Sequence, residues 1–371
     1  MDIYVLEYKK FNMTDLVKQI ENKKTSFKTD NYSMSIGELI NLYENKEIVI
    51  RPEYQRLFRW SHGQKVKLIE SILLGIPIPS IFVYQDDDGI WELVDGLQRV
   101  STILQFYGIL EDTEPLTLEG TKYLPLLEGY MWDNEDNEKE IPAGIKLSFK
   151  RAKINLTIIL SESDVRAKFE VFQRLNTGGS NASNQEVRNN VMIMINPDIF
   201  RWFNNLASNS DFQETLAISE RLSDEQYHME LLLRFIALKN YEYNNKKDVG
   251  DFLDDINDEI LNNDNVDMAG IETNFIKTFS TLNRVLGDKS FKKYNGDDFK
   301  GKFLESSYEA ISVGLATNID DYNFPEDDEL LFEKVKALYC EQTMIRTTGS
   351  GSNAKVRIPK LVPFAKEFFK K

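Results

Sequence analysis

Cysteine occurs once in this chain, at Cys340, and histidine twice, at His62 and His228. One cysteine excludes an intramolecular disulfide and any zinc site built on cysteine clusters. With no histidine near it in sequence, Cys340 reads as a small buried hydrophobe. No apolar run approaches the roughly 18 residues that a membrane helix needs. The first residues, with Asp2, Glu7, Lys9 and Lys10 among short apolar stretches, lack the pattern of a secretory signal, which predicts a cytoplasmic protein. Positive charge is also in deficit: 45 Lys and Arg face 60 Asp and Glu, a net charge of −15. A surface that acidic disfavours nonspecific binding of nucleic acid over the whole molecule.

What is present fits an ordered globular protein, 42% hydrophobic and long enough, at 371 residues, for two domains. The charge is unevenly spread. Arg51, Arg56, Arg59, Lys65, Lys67 and Arg99 share one stretch, whereas Asp and Glu crowd residues 248–267 and 320–333. A concave cationic site in an acidic protein suits a small anionic ligand better than a long duplex. Duplex contact through one local face is the alternative.

Periodicity divides the chain near residue 190. Residues 1–34 read as a mixed leader. Ile36, Leu39, Ile40 and Tyr43 predict a short helix, and Ile48–Ile50 a short strand. Ser61 with Gln64 is a capping-box pair, and Gly75 with Pro77 closes the helix that this pair opens. Ile81–Tyr84 and Ile90–Val94 predict a hairpin around Asp86-Asp87-Asp88-Gly89. Residues 108–150 read as an insertion, Ile154–Leu160 as a strand, and Ser163 or Asp164 as the start of a helix ending at Asn176. Ser183 with Glu186 is a second capping box. Beyond it the pattern is helical, at Pro197–Leu206, Asp224–Leu238, Ile271–Leu286, Phe299–Leu315 and Glu329–Cys340, with no fixed repeat.

The strongest functional signal is Asp95-Gly96-Leu97-Gln98-Arg99, where a short strand gives way to an amphipathic helix carrying Val100, Ile103, Leu104 and Tyr107 on one face. A helix start has unpaired N–H groups and partial positive charge, so an arginine in its first turn is electrostatically misplaced unless an anion sits there too. Together with the hydroxyls of Ser101 and Thr102 this describes a phosphate site. In Arg51–Trp60, Tyr54 or Trp60 offers a ring for stacking on a base and Arg56 a planar fork for phosphate; the alternative is a surface loop anchored by its aromatics. Asn176-Thr177-Gly178-Gly179 permits close approach of backbone N–H groups to a phosphate, or serves as a plain helix end.

These motifs come in a distinctive order. Tyr54-Gln55-Arg56 with Trp60, then Glu70–Pro79, then Val94–Arg99 with Ser101-Thr102, then Phe172–Gly179, resembles the N-terminal domain family of GmrSD-type restriction endonucleases over roughly residues 35–190. The resemblance implies an α+β architecture: a ParB/sulfiredoxin-like nucleotide-binding domain over 1–190, with 108–150 inserted, followed by an all-helical domain over 191–371. It implies a nucleoside triphosphate as ligand and hydrolysis coupled to a DNA-cutting partner or domain in prokaryotic defence; Asp95 itself reads as a holder of Mg2+ or of a water, or as a plain helix cap. By carry-over Arg99 clamps phosphate, Asp95 or Gln98 positions water or metal, and Gln55 and Arg56 complete the pocket. The usual signature of relatives is Asp-Gly-Gln-Gln-Arg; here Leu97 replaces the first Gln, which bears on hydrolytic rate or nucleotide choice more than on fold.

Many relatives continue into a histidine-metal nuclease, which needs a histidine base and further metal ligands. His228, in Asp224–Glu230, has no second ligand at useful spacing, and His62 lies among the nucleotide motifs. Cutting is therefore assigned to a separate nuclease, and the partner expected for this chain is that nuclease or an ATPase. Asp251, Asp254, Asp255, Asp258 and Glu259 read as the solvated face of a helix whose buried side is Phe252, Ile256 and Ile260, more naturally than as metal ligands. Two small basic groups offer DNA contact: Lys146, Lys150, Arg151 and Lys153, whose alternative is ordinary snorkelling surface lysines, and the hydroxyl-rich stretch Thr347–Arg357, which reads otherwise as a partner contact or a plain inter-helix loop. The rival to an NTPase is a nucleotide-switched module that binds DNA or protein without turnover.

Overall fold

Short apolar segments punctuated by turns build a mixed five-stranded sheet near the start of the chain. The computed structural model describes residues 13–24, 28–50, 60–134, 138–160, 183–263, 265–348 and 353–371. The strands are β1 (Thr29–Ser35), β2 (Ile48–Val49), β3 (Ile81–Gln85), β4 (Trp91–Asp95) and β5 (Lys153–Ile159), in the order β1–β5–β3–β4–β2. β1 pairs antiparallel with β5 and β3 with β4; β3 runs parallel to β5, and β2 to β4. Ile81, Val83, Leu93, Ile154, Leu156 and Ile158 are buried in it. The β3–β4 register slips: Phe82 faces Asp95 while Val83 faces Leu93, so Val94 is an extra residue on β4. Such a bulge bends a strand and re-aims the side chain beside it.

Five helices accompany the sheet among the described residues: α1 (Met13–Lys24), α2 (Ile36–Glu44), α3 (His62–Leu73), α4 (Leu97–Tyr107) and α5 (Ala143–Arg151). α2 starts on Ser35, whose side chain accepts from the Glu38 N–H. α3 starts on the complete capping box of Ser61 and Gln64, and Gly75, at φ +70°, ends it. The leader holds more order than its sequence suggests. β1 has just Tyr32 and Met34 as large apolar residues, and its first five residues are exposed on the sheet edge, so alternation is faint there. The insertion is also anchored: Trp132 and Phe149 pack edge-on against Phe106 of α4 at 5.5 and 5.4 Å.

Residues 1–181 and 182–371 form two compact units. The second contains α6 (Asn184–Ile195), α7 (Pro197–Ala207), α8 (Ser210–Leu216), α9 (Glu220–Asp224), α10 (Tyr227–Asn240), α11 (Val249–Asn262), α12 (Met268–Leu286), α13 (Glu305–Asn318), α14 (Asp328–Leu338), α15 (Gln342–Thr347) and α16 (Ala354–Phe368). α6 opens on the Ser183–Glu186 capping box. The unit is mostly helical, not wholly so. Lys293–Tyr294 (β6) and Phe299–Lys300 (β7) pair as a ribbon, with Asn295-Gly296 in the turn and Gly296 at φ +100°. Phe299 therefore belongs to a strand, and the helix expected from it begins at Glu305. Asn-Gly is a strong hairpin signal that the helical period masked.

α16 is a further departure from expectation, because Pro359 and Pro363 lie inside it. Each removes a backbone donor, and tertiary packing offsets that cost. A Cβ on Gly314 of α13 would fall 2.5 Å from the Phe369 ring and 2.8 Å from the Ala365 carbonyl oxygen, so this glycine lets α16 lie close. Phe212, Phe235, Phe275 and Phe279 form the aromatic centre of the unit, with Phe212 and Phe279 edge-on at 4.7 Å. Cys340, expected buried, is exposed; it falls past the last turn of α14, off the helix's inward face.

Candidate functional site

The turn from β4 into α4 is built on one glycine. Gly96 sits at φ +96°, and a Cβ there would lie 2.5 Å from Cγ2 of the fully buried Ile81. Both the left-handed backbone and the lack of space demand glycine. As N-cap, Gly96 offers no side chain to the first turn of α4, whose start carries the positive end of the helix dipole. β4 lies inside the sheet, and the space beyond the carboxyl end of such a strand is where α/β folds commonly bind ligands.

Arg99 is 9% exposed. Its Nη2 donates to Oδ2 of Asp95 at 2.8 Å, and that nitrogen lies 3.2 Å from where a Gly96 Cβ would be. The guanidinium thus folds back over the glycine turn. The anion that an arginine in the first turn calls for is supplied here by the chain itself, through Asp95, four residues earlier. The electrostatic argument for an external anion is corrected to that extent. One bond does not exhaust a guanidinium with five N–H donors, and Arg99 Nε is buried without a partner. Ser101, 1% exposed, has a buried and unpartnered hydroxyl one half-turn further on.

Other residues of the motif have assigned tasks. Oε1 of Gln98 accepts the backbone N–H of Trp60 at 3.0 Å, which ties the end of the polar-aromatic stretch to the start of α4. Thr102 is wholly buried, and its hydroxyl donates to the Gln98 carbonyl at 2.6 Å, a bond that occupies its proton. On α3, Lys65 donates to Oε1 of Gln105 at 3.0 Å, and burial holds its ammonium below the usual lysine range. The fold therefore gathers Trp60, Asp95, Gly96, Gln98, Arg99, Ser101 and Thr102. Tyr54, Gln55 and Arg56, and Asn176, Thr177, Gly178 and Gly179, lie outside the described residues.

Two features escaped sequence reasoning. The Asp95–Arg99 pair stands at the i,i+4 spacing of helical ion pairs, so a signal for it was present. The Val94 bulge left no such trace. Among the described residues, no group of three or more His, Cys, Asp or Glu side chains is placed to hold a metal ion.

Some of the basic candidates are committed elsewhere, while Arg151 and Lys153 are exposed. Lys146 bonds Asp133 at 2.6 Å and Glu140 at 2.5 Å, and Lys150 lies 5.1 Å from the centre of the Tyr107 ring. Arg357 is not part of an exposed basic loop but 6% exposed and bound to Glu309. In the acidic stretch, Phe252, Ile256 and Ile260 are buried as expected, while Asp254 turns to Arg188 at 2.7 Å. His62 Nε2 stands 3.5 Å from Glu119, and His228 is buried.

Residues 36–193 match the family described as GmrSD restriction endonuclease, N-terminal domain. This stretch is a GmrSD-type N-terminal domain. The match includes the glycine turn, Arg99 and both capping boxes, and it runs into α6. No curated protein matches the chain. Among the described residues beside and beyond the GmrSD-type domain, no helix is long and apolar enough to cross a membrane.

Proposed function

We propose that the chain is the nucleotide-binding, NTP-hydrolysing component of a prokaryotic restriction system that acts with a separate nuclease or ATPase partner. Its first unit would then be a ParB/sulfiredoxin-like domain in the cytoplasm. The observation that carries this reading is the buried Arg99 with spare donors beside an uncapped helix start, in a domain of a restriction-endonuclease family. Backbone N–H groups and a guanidinium together suit the oxygens of a phosphate chain. Mg2+ bound with a triphosphate takes most of its ligands from phosphate and water and needs one or two protein carboxylates; Asp95 is the carboxylate of this turn. Tyr54 or Trp60 would stack on the base, and Gln55, Arg56 and the Asn176–Gly179 segment would close the pocket.

Isothermal titration calorimetry with each of the four NTPs tests the assignment. The wild type binds at least one, and Arg99→Ala loses at least tenfold in affinity, the scale of one charge-assisted bond. Unchanged affinity in that variant removes the phosphate clamp.

Leu97 in the place of the signature's first Gln, and the engagement of Asp95 by Arg99, favour a second reading in which nucleotide occupancy switches a DNA- or protein-binding surface without turnover. Phosphate release by purified protein with Mg2+ separates enzyme from switch. DNA contact, if it accompanies either, weakens steeply as salt rises in a gel-shift series.

A further inference from the structure

The pair that holds Arg99 has the geometry of a ligand complex. The Asp95 carboxylate meets the guanidinium through a single bond of 2.8 Å, not a two-bond fork. The side chains are 11% and 16% exposed, so the bond is shielded from water. The same guanidinium keeps Nε buried and unpartnered, and Gly96 puts no side-chain cap on the start of α4. Donor capacity at the turn thus exceeds what one carboxylate oxygen uses. A phosphate, with three or more oxygens, uses more of it. The Val94 bulge sits one residue before Asp95, where it sets the direction of that side chain.

We propose that Asp95 is a built-in competitor for the anion site: its carboxylate occupies Arg99 until a phosphate displaces it. This rests on the nucleotide reading above and adds a regulation to it. Binding becomes an exchange of one anion for another. The displaced carboxylate then stands beside the incoming phosphates, so the exchange is resisted until something neutralises or moves Asp95. Empty, the site is held shut by its own acid, and weakly charged anions do not open it.

The test is calorimetry on the full chain in EDTA, with sodium tripolyphosphate and the four NTPs as probes. Asp95→Asn keeps an oxygen for Nη2 and removes the charge; Asp87→Asn, on the exposed β3–β4 turn, makes the same change in net charge away from the site. Asp95→Asn is expected to bind tripolyphosphate and the preferred NTP about tenfold tighter than wild type, the effect of removing one like charge at close range. Asp87→Asn is expected to match wild type. Wild-type binding that Asp95→Asn leaves equal or weaker overturns the competitor role while the nucleotide reading stands. Failure of both proteins to bind any probe overturns the nucleotide reading and this inference with it. Should Asp95→Asn not fold, the wild type still decides: the Asp95 ¹³Cγ resonance shifts as tripolyphosphate is added if the pair opens. A resonance that stays still while the probe binds refutes the exchange.

Discussion

Gly96 decides the site with a single atom. A methyl group there would meet Ile81, and the left-handed backbone would cost a non-glycine residue about 1–2 kcal/mol before any clash. We expect Gly96→Ala to lower unfolding stability by about 2 kcal/mol or more, read as a lower urea midpoint at unchanged slope. Arg99 is legible in the sequence as a charge near a helix start, because capping and spacing are local. Its counter-ion is another matter. Asp95 and an external phosphate are equally compatible with Asp-Gly-Leu-Gln-Arg, and the choice between them depends on burial. Cys340 shows the same limit: its chemistry suits a core, and its place after α14 puts it in solvent.

At the scale of elements, capping signals were the most dependable. Ser61 with Gln64 and Ser183 with Glu186 both form reciprocal boxes in the folded chain, because each satisfies its own helix start without help from distant residues. Ser61→Ala is expected to lower stability by about 1 kcal/mol in thermal or urea unfolding. Since Trp60 is held to Gln98 next to that cap, the same change should also loosen the start of α4; faster amide exchange there is the readout. β1 and α16 were hidden for opposite reasons. β1 is a polar edge strand that sheet pairing recruits despite a faint pattern, and α16 keeps helical form through two prolines because α13 packs against it. Propensity yields where packing contributes more.

Across the second unit, the largest surprise is charge in the core. Arg188, Arg234 and Arg357 meet Glu230, Asp254, Glu305 and Glu309, joining α6, α10, α11, α13 and α16. Glu309 is fully buried and receives Arg357 through two bonds of 2.8 Å. Removing one member leaves a buried charge unpaired, so Glu309→Gln is expected to destabilise the unit by about 3–5 kcal/mol, measured by urea unfolding. The network also sets a pH response. Burial alone would raise the Glu305 carboxyl, but the charge and hydrogen bond of Arg234, with Tyr227 and Arg357, hold it below the usual carboxylate range. A depressed carboxyl stabilises the fold above its unfolded value and loses that contribution as pH falls through the folded one. Acid unfolding should therefore set in below about pH 4.5, earlier in Arg357→Met.

The alkaline side has the opposite sign. Burial pushes the Tyr339 phenol up to about 12, and burial with Asp327 and Asp321 pushes Tyr322 to about 12. Raised phenols stabilise the folded chain below their unfolded value and cease to do so as pH climbs through the folded one. Stability should accordingly fall between about pH 10 and 12, seen as a lower melting temperature alongside the tyrosinate absorbance.

Local patterns by themselves determined the two capping-box helix starts, the β3–β4 hairpin, the glycine turn and the order of motifs that marks the GmrSD-type domain, because each depends on residues a few positions apart. Tertiary structure alone decided which anion Arg99 holds, why the edge strand forms, and how three arginines come to lie in a helical core. Those outcomes rest on desolvation and, for the edge strand and the arginine core, on contacts between residues tens of positions apart, which local spacing does not encode.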